Sequence, residues 1–244
     1  ARVLLLFGNP AAIRQGERYL DDDLNRMFCG KHLRCANSRE ARRAALLEQY
    51  ALRFFDMGDG QRLHLDLHTA IRASFYPSFA LCPAQGEPPY SDSLLGLLQA
   101  AEIYTLLLHS EPSTTFSYFT RSACNARSLT LELGQARPFG QNQDLSLDAL
   151  FGVLLQLLSG EIPAATDELD IRQFSVTREL IKSSENFRLN LADDVANFTP
   201  LTPGSLLAED GPTQIVAEPG EHILFPNPDV KVGLRAGILV AARS

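Results

Sequence analysis

An α/β domain followed by a smaller all-β unit is the fold class this sequence predicts, on three observations. Up to about residue 160, short apolar runs with strand character alternate with helix-periodic segments. A polar stretch from Glu161 to Asp170, with Pro163 inside it, then reads as a linker. Beyond it, short apolar runs are separated by turn signals at Pro203-Gly204, Asp210-Gly211-Pro212, Glu218-Pro219-Gly220, Pro226-Asn227-Pro228 and Ala236-Gly237. The expected domains are residues 1–160 and 161–244 of a 244-residue chain, which is long enough to bury a full core.

Taken in order, Val3 to Phe7 is an apolar run ended by Gly8-Asn9-Pro10 and predicts a buried strand. From Ser38, a good N-cap, apolar residues at 41, 44, 45, 47, 50, 51, 54 and 55 predict a helix that Gly58 stops. In Arg62 to His68, Leu63, Leu65 and Leu67 alternate with His64, Asp66 and His68, the period of a strand. Phe79-Ala80-Leu81 predicts a short strand, Ser91 to Glu102 a helix capped by Ser91 or Ser93, and Ile103 to Leu108 a strand. Ser128 to Leu133 predicts another strand, closed by Gly134. Asp144 or Ser146 then caps a helix running to about Leu158 and ended by Ser159-Gly160. Strands alternating with helices imply a sheet largely covered on both faces.

A net charge of −7 argues against a nucleic-acid binder. Residues 1–159 carry 15 Lys/Arg against 16 Asp/Glu, and residues 160–244 carry 7 against 13. Focused arginines in the first part could therefore still hold a small anion. No apolar run is long enough to cross a bilayer, and Val3 to Phe7 is too short for a signal peptide core. Cys29, Cys35, Cys82 and Cys124 show no Cys-x-x-Cys pairing, which suits reduced thiols in a cytoplasm.

Three stretches could carry chemistry. His64, Asp66 and His68 share one strand face, with His68 near its end. A carboxylate two residues before an imidazole suits a metal ligand and the group that orients it. The same pattern also fits a buried strand whose polar residues are satisfied by neighbours. Arg18-Tyr19-Leu20-Asp21-Asp22-Asp23-Leu24-Asn25-Arg26 offers two guanidinium forks and an amide, and equally a solvated acidic turn. In Thr130-Leu131-Glu132-Leu133-Gly134, Glu132 points away from two leucines at a strand end. Desolvation there would raise its pKa and suit a general base; a surface-facing glutamate on an edge strand fits as well. His32, His109 and His222 lack partners at ligand spacing and read as structural.

Together, Gly8-Asn9-Pro10-Ala11-Ala12, the Arg18–Arg26 stretch, Asp66-Leu67-His68-Thr69-Ala70-Ile71-Arg72, Thr130-Leu131-Glu132-Leu133-Gly134 and Ala136-Arg137-Pro138-Phe139-Gly140 resemble the succinylglutamate desuccinylase/aspartoacylase family of zinc carboxypeptidase-like hydrolases. The end segment, Pro226-Asn227-Pro228 with Val232 to Gly237, looks like that family's C-terminal β domain. The resemblance implies a mixed sheet flanked by helices. It also implies zinc-dependent hydrolysis of N-succinyl-L-glutamate to succinate and L-glutamate, the last step of arginine catabolism by the succinyl route.

By matching motif it makes His68 a ligand of one Zn2+ per subunit, with Asp66 behind it. Glu132 becomes the catalytic acid/base, Arg18 a carbonyl contact, and Asn25 with Arg26 a substrate-carboxylate clamp. Arg72 is a candidate for a second clamp. The expected partner is the small anionic substrate, with no nucleic acid or membrane. An aspartoacylase-like deacylase of another N-acyl acidic amino acid and a non-catalytic carboxylate-binding protein are the alternatives. The family's His-x-x-Glu pair is absent from this sequence. The expectation is therefore a sequence that begins partway into the natural protein, the alternative being a metal-free remnant.

Overall fold

Asn9 opens the first helix: its side chain accepts the Ala12 N–H at 3.2 Å, and Pro10 occupies the first turn, where no N–H is needed. The computed structural model describes residues 1–83, 90–138, 140–142, 146–161, 163 and 170–243. Its elements are α1 (Pro10–Gln15), α2 (Arg39–Asp56), β1 (Leu63–Ala70), β2 (Phe79–Pro83), α3 (Asp92–Ala100), β3 (Thr105–His109), α4 (Phe116–Cys124), β4 (Arg127–Gln135) and α5 (Asp148–Ser159). Tight 3-10 turns lie at Leu24–Arg26 and Lys31–Arg34. Strands follow: β5 (Arg172–Ile181), β6 (Arg188–Leu189), β7 (Thr199–Pro200), β8 (Leu206–Asp210), β9 (Thr213–Val216), β10 (Glu221–Leu224) and β11 (Arg235–Ala242).

One eight-stranded mixed sheet runs in the order β1-β4-β2-β3-β5-β11-β10-β7, and β6-β8-β9 form a smaller one. β1 is parallel to β4, β4 antiparallel to β2, and β2, β3 and β5 are parallel. The α/β part therefore passes into the all-β part within a single sheet, through the β3–β5 pairing. Leu106, Leu108, Leu129 and Leu131 pack beneath α3 and α5, in a core with Leu94, Leu98, Leu150 and Val153. In α2, Ser38 accepts the Ala41 N–H, and the buried stripe Ala41, Ala44, Leu47, Ala51 and Phe55 joins Phe116 and Phe119 of α4. Phe79, Leu107, Phe174, Phe198 and Val240 fill the space under the C-terminal strands.

Three sequence expectations are corrected. Val3 to Phe7 is not a strand: the segment has no regular structure and pairs with no strand among the described residues, with Leu5 88% and Phe7 75% exposed. An apolar run becomes a strand only where a neighbour takes its backbone bonds. Here the Phe7 and Gly8 carbonyls accept instead from the Arg43 guanidinium. β1 is an edge strand, so Leu67 stands 52% exposed rather than covered. The helices α1 and α4 were not anticipated, although Thr115 caps α4 through the Tyr118 N–H. Asp144, Phe139 and most of the expected linker lie outside the described residues. Among the described residues, no helix is long and apolar enough to cross a membrane.

Candidate active site

The site forms where β1 and β4 run out together. His68 and Glu132 are register partners on these adjacent parallel strands, which places them about 5 Å apart across the ladder. Immediately after that pair the register breaks: Ala70 lies opposite Gln135, so β4 carries one extra residue. Gly134 absorbs the bulge with φ of 123°, a conformation that disfavours any residue with a Cβ. Such bulges turn neighbouring side chains out of the regular pleat, and this one sits directly beside the catalytic candidates.

Glu132 is 8% exposed, and its Oε2 has no hydrogen-bond partner among the described residues. Burial pushes its carboxyl above the usual glutamate range, against the opposing pull of His68, Arg18 and Arg26. His68 donates through Nε2 to Asp66 Oδ2 at 3.1 Å. Burial pulls the His68 imidazole down, but the bond to Asp66 and the charges of Asp66 and Glu132 outweigh it and hold the imidazole above its ordinary value. Burial likewise pushes Asp66 up, yet His68 overrides it and keeps the carboxylate ionised. His64, two residues before Asp66, is fixed by Thr120 at 2.7 Å and by the edge of Phe116. Burial lowers its pKa, with the His68 charge acting in the same sense, so it stands as a neutral packing residue.

The Arg18–Arg26 stretch closes over this pair. Asn25 Nδ2 stands 3.4 Å from His68 Nε2, while its Oδ1 accepts the Phe116 N–H at 2.9 Å from the start of α4. The Phe116 bond holds the oxygen end of the amide, which fixes its orientation and turns the Nδ2 end toward His68. Arg18 pairs with Asp23 Oδ2 at 2.9 Å, and Asp23 Oδ1 accepts the Asn25 N–H, capping the turn. Burial pushes Asp23 up, but Arg26 and Arg18 outweigh it and keep it ionised. Arg26 donates to the Asn25 carbonyl, and burial lowers its pKa against the raising pull of Asp23.

Glu40 is the residue sequence reasoning missed. It lies 1% exposed at the start of α2 and accepts from Asn9 Nδ2 and from the Leu20, Asp21 and Asp22 N–H groups. Those four donors hold the carboxylate at about 2 and pin the loop that carries Arg18. An acid inside a helical pattern reads as solvent-facing, so no local signal marked it.

Arg72, the second expected clamp, is engaged by backbone carbonyls. Its Nε donates to the Pro226 carbonyl at 2.7 Å and its Nη1 to the Asp193 and Val195 carbonyls. It fastens the exit from β1 to the C-terminal β part, and most of its fork is occupied. The donor set also tests the expected metal. Among the described residues no group of three or more His, Cys, Asp or Glu side chains could hold an ion. Catalytic zinc takes three protein ligands, so His68 alone falls short of a site.

The comparisons follow this geometry. The domain family described as "Succinylglutamate desuccinylase/Aspartoacylase catalytic domain" matches residues 1–158, and the "AstE/AspA barrel-sandwich hybrid domain" matches residues 169–243. A succinylglutamate desuccinylase of Pseudomonas paraeruginosa is 51% identical over 98% of this chain and 73% of its own length. One from Pseudomonas putida is 49% identical over 100% and 73%. Among solved structures, the succinylglutamate desuccinylase of Chromobacterium violaceum superposes with a TM-score of 0.86 at 45% identity, covering 98% of this chain and 72% of that one. That of Vibrio parahaemolyticus gives 0.90 at 30%, covering 98% and 70%.

Proposed function

The chain belongs to the succinylglutamate desuccinylase/aspartoacylase family, and from that premise we propose that it hydrolyses N-succinyl-L-glutamate to succinate and L-glutamate. The observation that carries the reading is Glu132: a buried carboxyl with an unpartnered oxygen, raised pKa and a histidine as its cross-strand neighbour. Scaffold carboxylates are not left in that state, because an unsatisfied buried polar atom is costly. A carboxyl whose pKa burial raises holds a proton more readily than a solvated one, which suits proton transfer.

Glu132 takes the proton from the attacking water as the water oxygen bonds to the amide carbon. It then returns that proton to the departing glutamate nitrogen as the C–N bond breaks. Arg18 faces the negative charge that grows on the carbonyl oxygen, and a preformed donor there lowers the barrier by about 3 kcal/mol. Asn25 and Arg26 hold a carboxylate of the amino-acid half, the guanidinium fork pairing with both of its oxygens.

Zinc dependence, with one ion per subunit, is part of the same proposal. When bound, zinc polarises the carbonyl and acidifies water. His68, oriented by Asp66, is the one ligand this chain's described residues offer; they do not complete the set, and no step above is routed through the ion. The reaction ends arginine catabolism by the succinyl route, and the four free thiols suit a reducing cytoplasm.

The test is release of glutamate from N-succinyl-L-glutamate and of aspartate from N-acetyl-L-aspartate, with zinc analysis of the same preparation. The reading expects the first substrate to be preferred by at least 100-fold on the order of site-built discrimination. Turnover of the second alone moves the assignment to an aspartoacylase-like deacylase. Turnover of neither, with zinc bound, removes the enzyme reading.

A further inference from the structure

The Ala136-Arg137-Pro138 segment takes no part in the chemistry above, yet Arg137 lines a cavity close to it in the chain. Directly beyond the β4 bulge lies a cleft of about 230 Å³, lined by Ala73, Ser74, Gly134, Gln135, Arg137 and Asn142 among others. Its two walls are the chain leaving β1 after His68 and the chain leaving β4 after Glu132. They are tied together by the Ala136 N–H on the Ala70 carbonyl at 2.7 Å and by Gln135 Nε2 on the Ile71 carbonyl at 3.4 Å. The cleft therefore begins two residues past the catalytic glutamate, about 6.6 Å along an extended strand.

Two of its polar side chains have uncommitted atoms. Among the described residues, Arg137 makes no hydrogen bond or ion pair, and Asn142 keeps a buried Oδ1 without a partner. Gly134 contributes no side chain to the floor.

The substrate's charge states the requirement. N-succinyl-L-glutamate carries three carboxylates, two on the glutamate and one at the far end of the acyl chain. On the amino-acid side the Arg18–Arg26 loop already supplies Asn25 and Arg26. Arg72, the remaining arginine near the end of β1, is spent on carbonyls of the C-terminal part. Two methylenes separate the scissile carbonyl from the acyl carboxylate, about 4 Å of chain. With the reach of a guanidinium added, that spans the distance from Glu132 to the cleft.

We propose that this cleft receives the far carboxylate of the acyl group, with Arg137 as its cation, so that it selects a dicarboxylic acyl chain over a simple one. Arg137 is thus a specificity residue: it holds the end of the acyl arm and touches none of the reacting atoms. The assignment rests on the proposed hydrolysis of N-succinyl-L-glutamate. A fork-to-carboxylate pair suits an arginine better than a lysine there, because both oxygens are held at once.

The experiment compares N-succinyl-L-glutamate with N-butyryl-L-glutamate, an acyl chain of equal length without the charge, on the holoenzyme and on R137A and R137K. In R137A the ratio of kcat/KM values, succinyl over butyryl, is expected to fall by on the order of 50-fold, with R137K recovering part of it. A ratio that stays put, whether both values drop or neither does, overturns the proposal. Calorimetric titration with succinate separates this from the underlying reading. Succinate binding weakened in R137A, alongside a wild-type enzyme that does not turn over the succinyl substrate, keeps the cleft and removes the reaction. Turnover with succinate binding unchanged in R137A keeps the reaction and removes the cleft.

Discussion

Two buried glutamates, one in the α/β part and one in the C-terminal β part, sit in opposite circumstances. Glu221, 2% exposed in β10, accepts from the Thr177 hydroxyl, from Arg178 through Nε and Nη2, and from the Glu218 N–H. Burial pushes it up, but Arg178 and these donors outweigh that and hold it ionised. Glu132, 8% exposed in β4, has an oxygen with no partner among the described residues and is pushed up. A carboxylate that serves as scaffold is surrounded until its charge is cheap to bury. One kept for proton transfer is left short of donors, so that both protonation states stay within reach. Glu40 belongs with Glu221: it is buried at the edge of the site, but four donors make it an anchor for the loop rather than a reactant.

The contrast can be broken by substitution. Glu132→Gln is expected to lower kcat by on the order of 10³-fold while the thermal midpoint moves by no more than about 2 °C. Steady-state kinetics beside a circular dichroism melt checks this, and a kcat within tenfold of wild type would place Glu132 with the scaffold. Glu221→Ala should do the reverse. Urea unfolding is expected to show a loss of about 3 kcal/mol, because four hydrogen bonds to one buried carboxylate are lost together.

Arg72→Ala is expected to cost about 2 kcal/mol in the same measurement, through its lost carbonyl bonds, with KM changed less than about threefold. Arg26→Ala, by contrast, should raise KM on the order of 30-fold with little change in the unfolding midpoint. A large rise in KM from Arg72→Ala would return that residue to the substrate.

The last contrast is in the dependence on acidity. Glu40 is held at about 2, below its unfolded value near 4.5, so its contribution is complete above about 4.5 and drains away as pH falls toward about 2. The stability gap between wild type and Glu40→Gln, followed by urea midpoints, should therefore narrow across that window. Glu179, held at about 2 by His109 and then by Arg235, loses its contribution over the same range. A gap that is constant with pH would mean that Glu40 anchors its loop by shape alone.

The sequence by itself determined the alternation of strands and helices, the Ser38 cap of α2 and the polar face of β1, while it left Glu132 of β4 open between a buried base and a surface acid. These features follow from periodicity and capping, which act within a few residues along the chain. Tertiary structure decided the rest. The apolar Val3 to Phe7 needed a pairing partner to become a strand, and a sequence window cannot contain one. Arg72 carries the same charge on a substrate or on a carbonyl, and its actual partners lie 121 to 154 residues away. Glu40 reads as a surface acid until the loop from Leu20 to Asp22 folds back over it. The difference is one of range: hydrophobic period and capping are short-range preferences written in order, whereas a buried charge takes its meaning from whichever distant donors the fold brings to it.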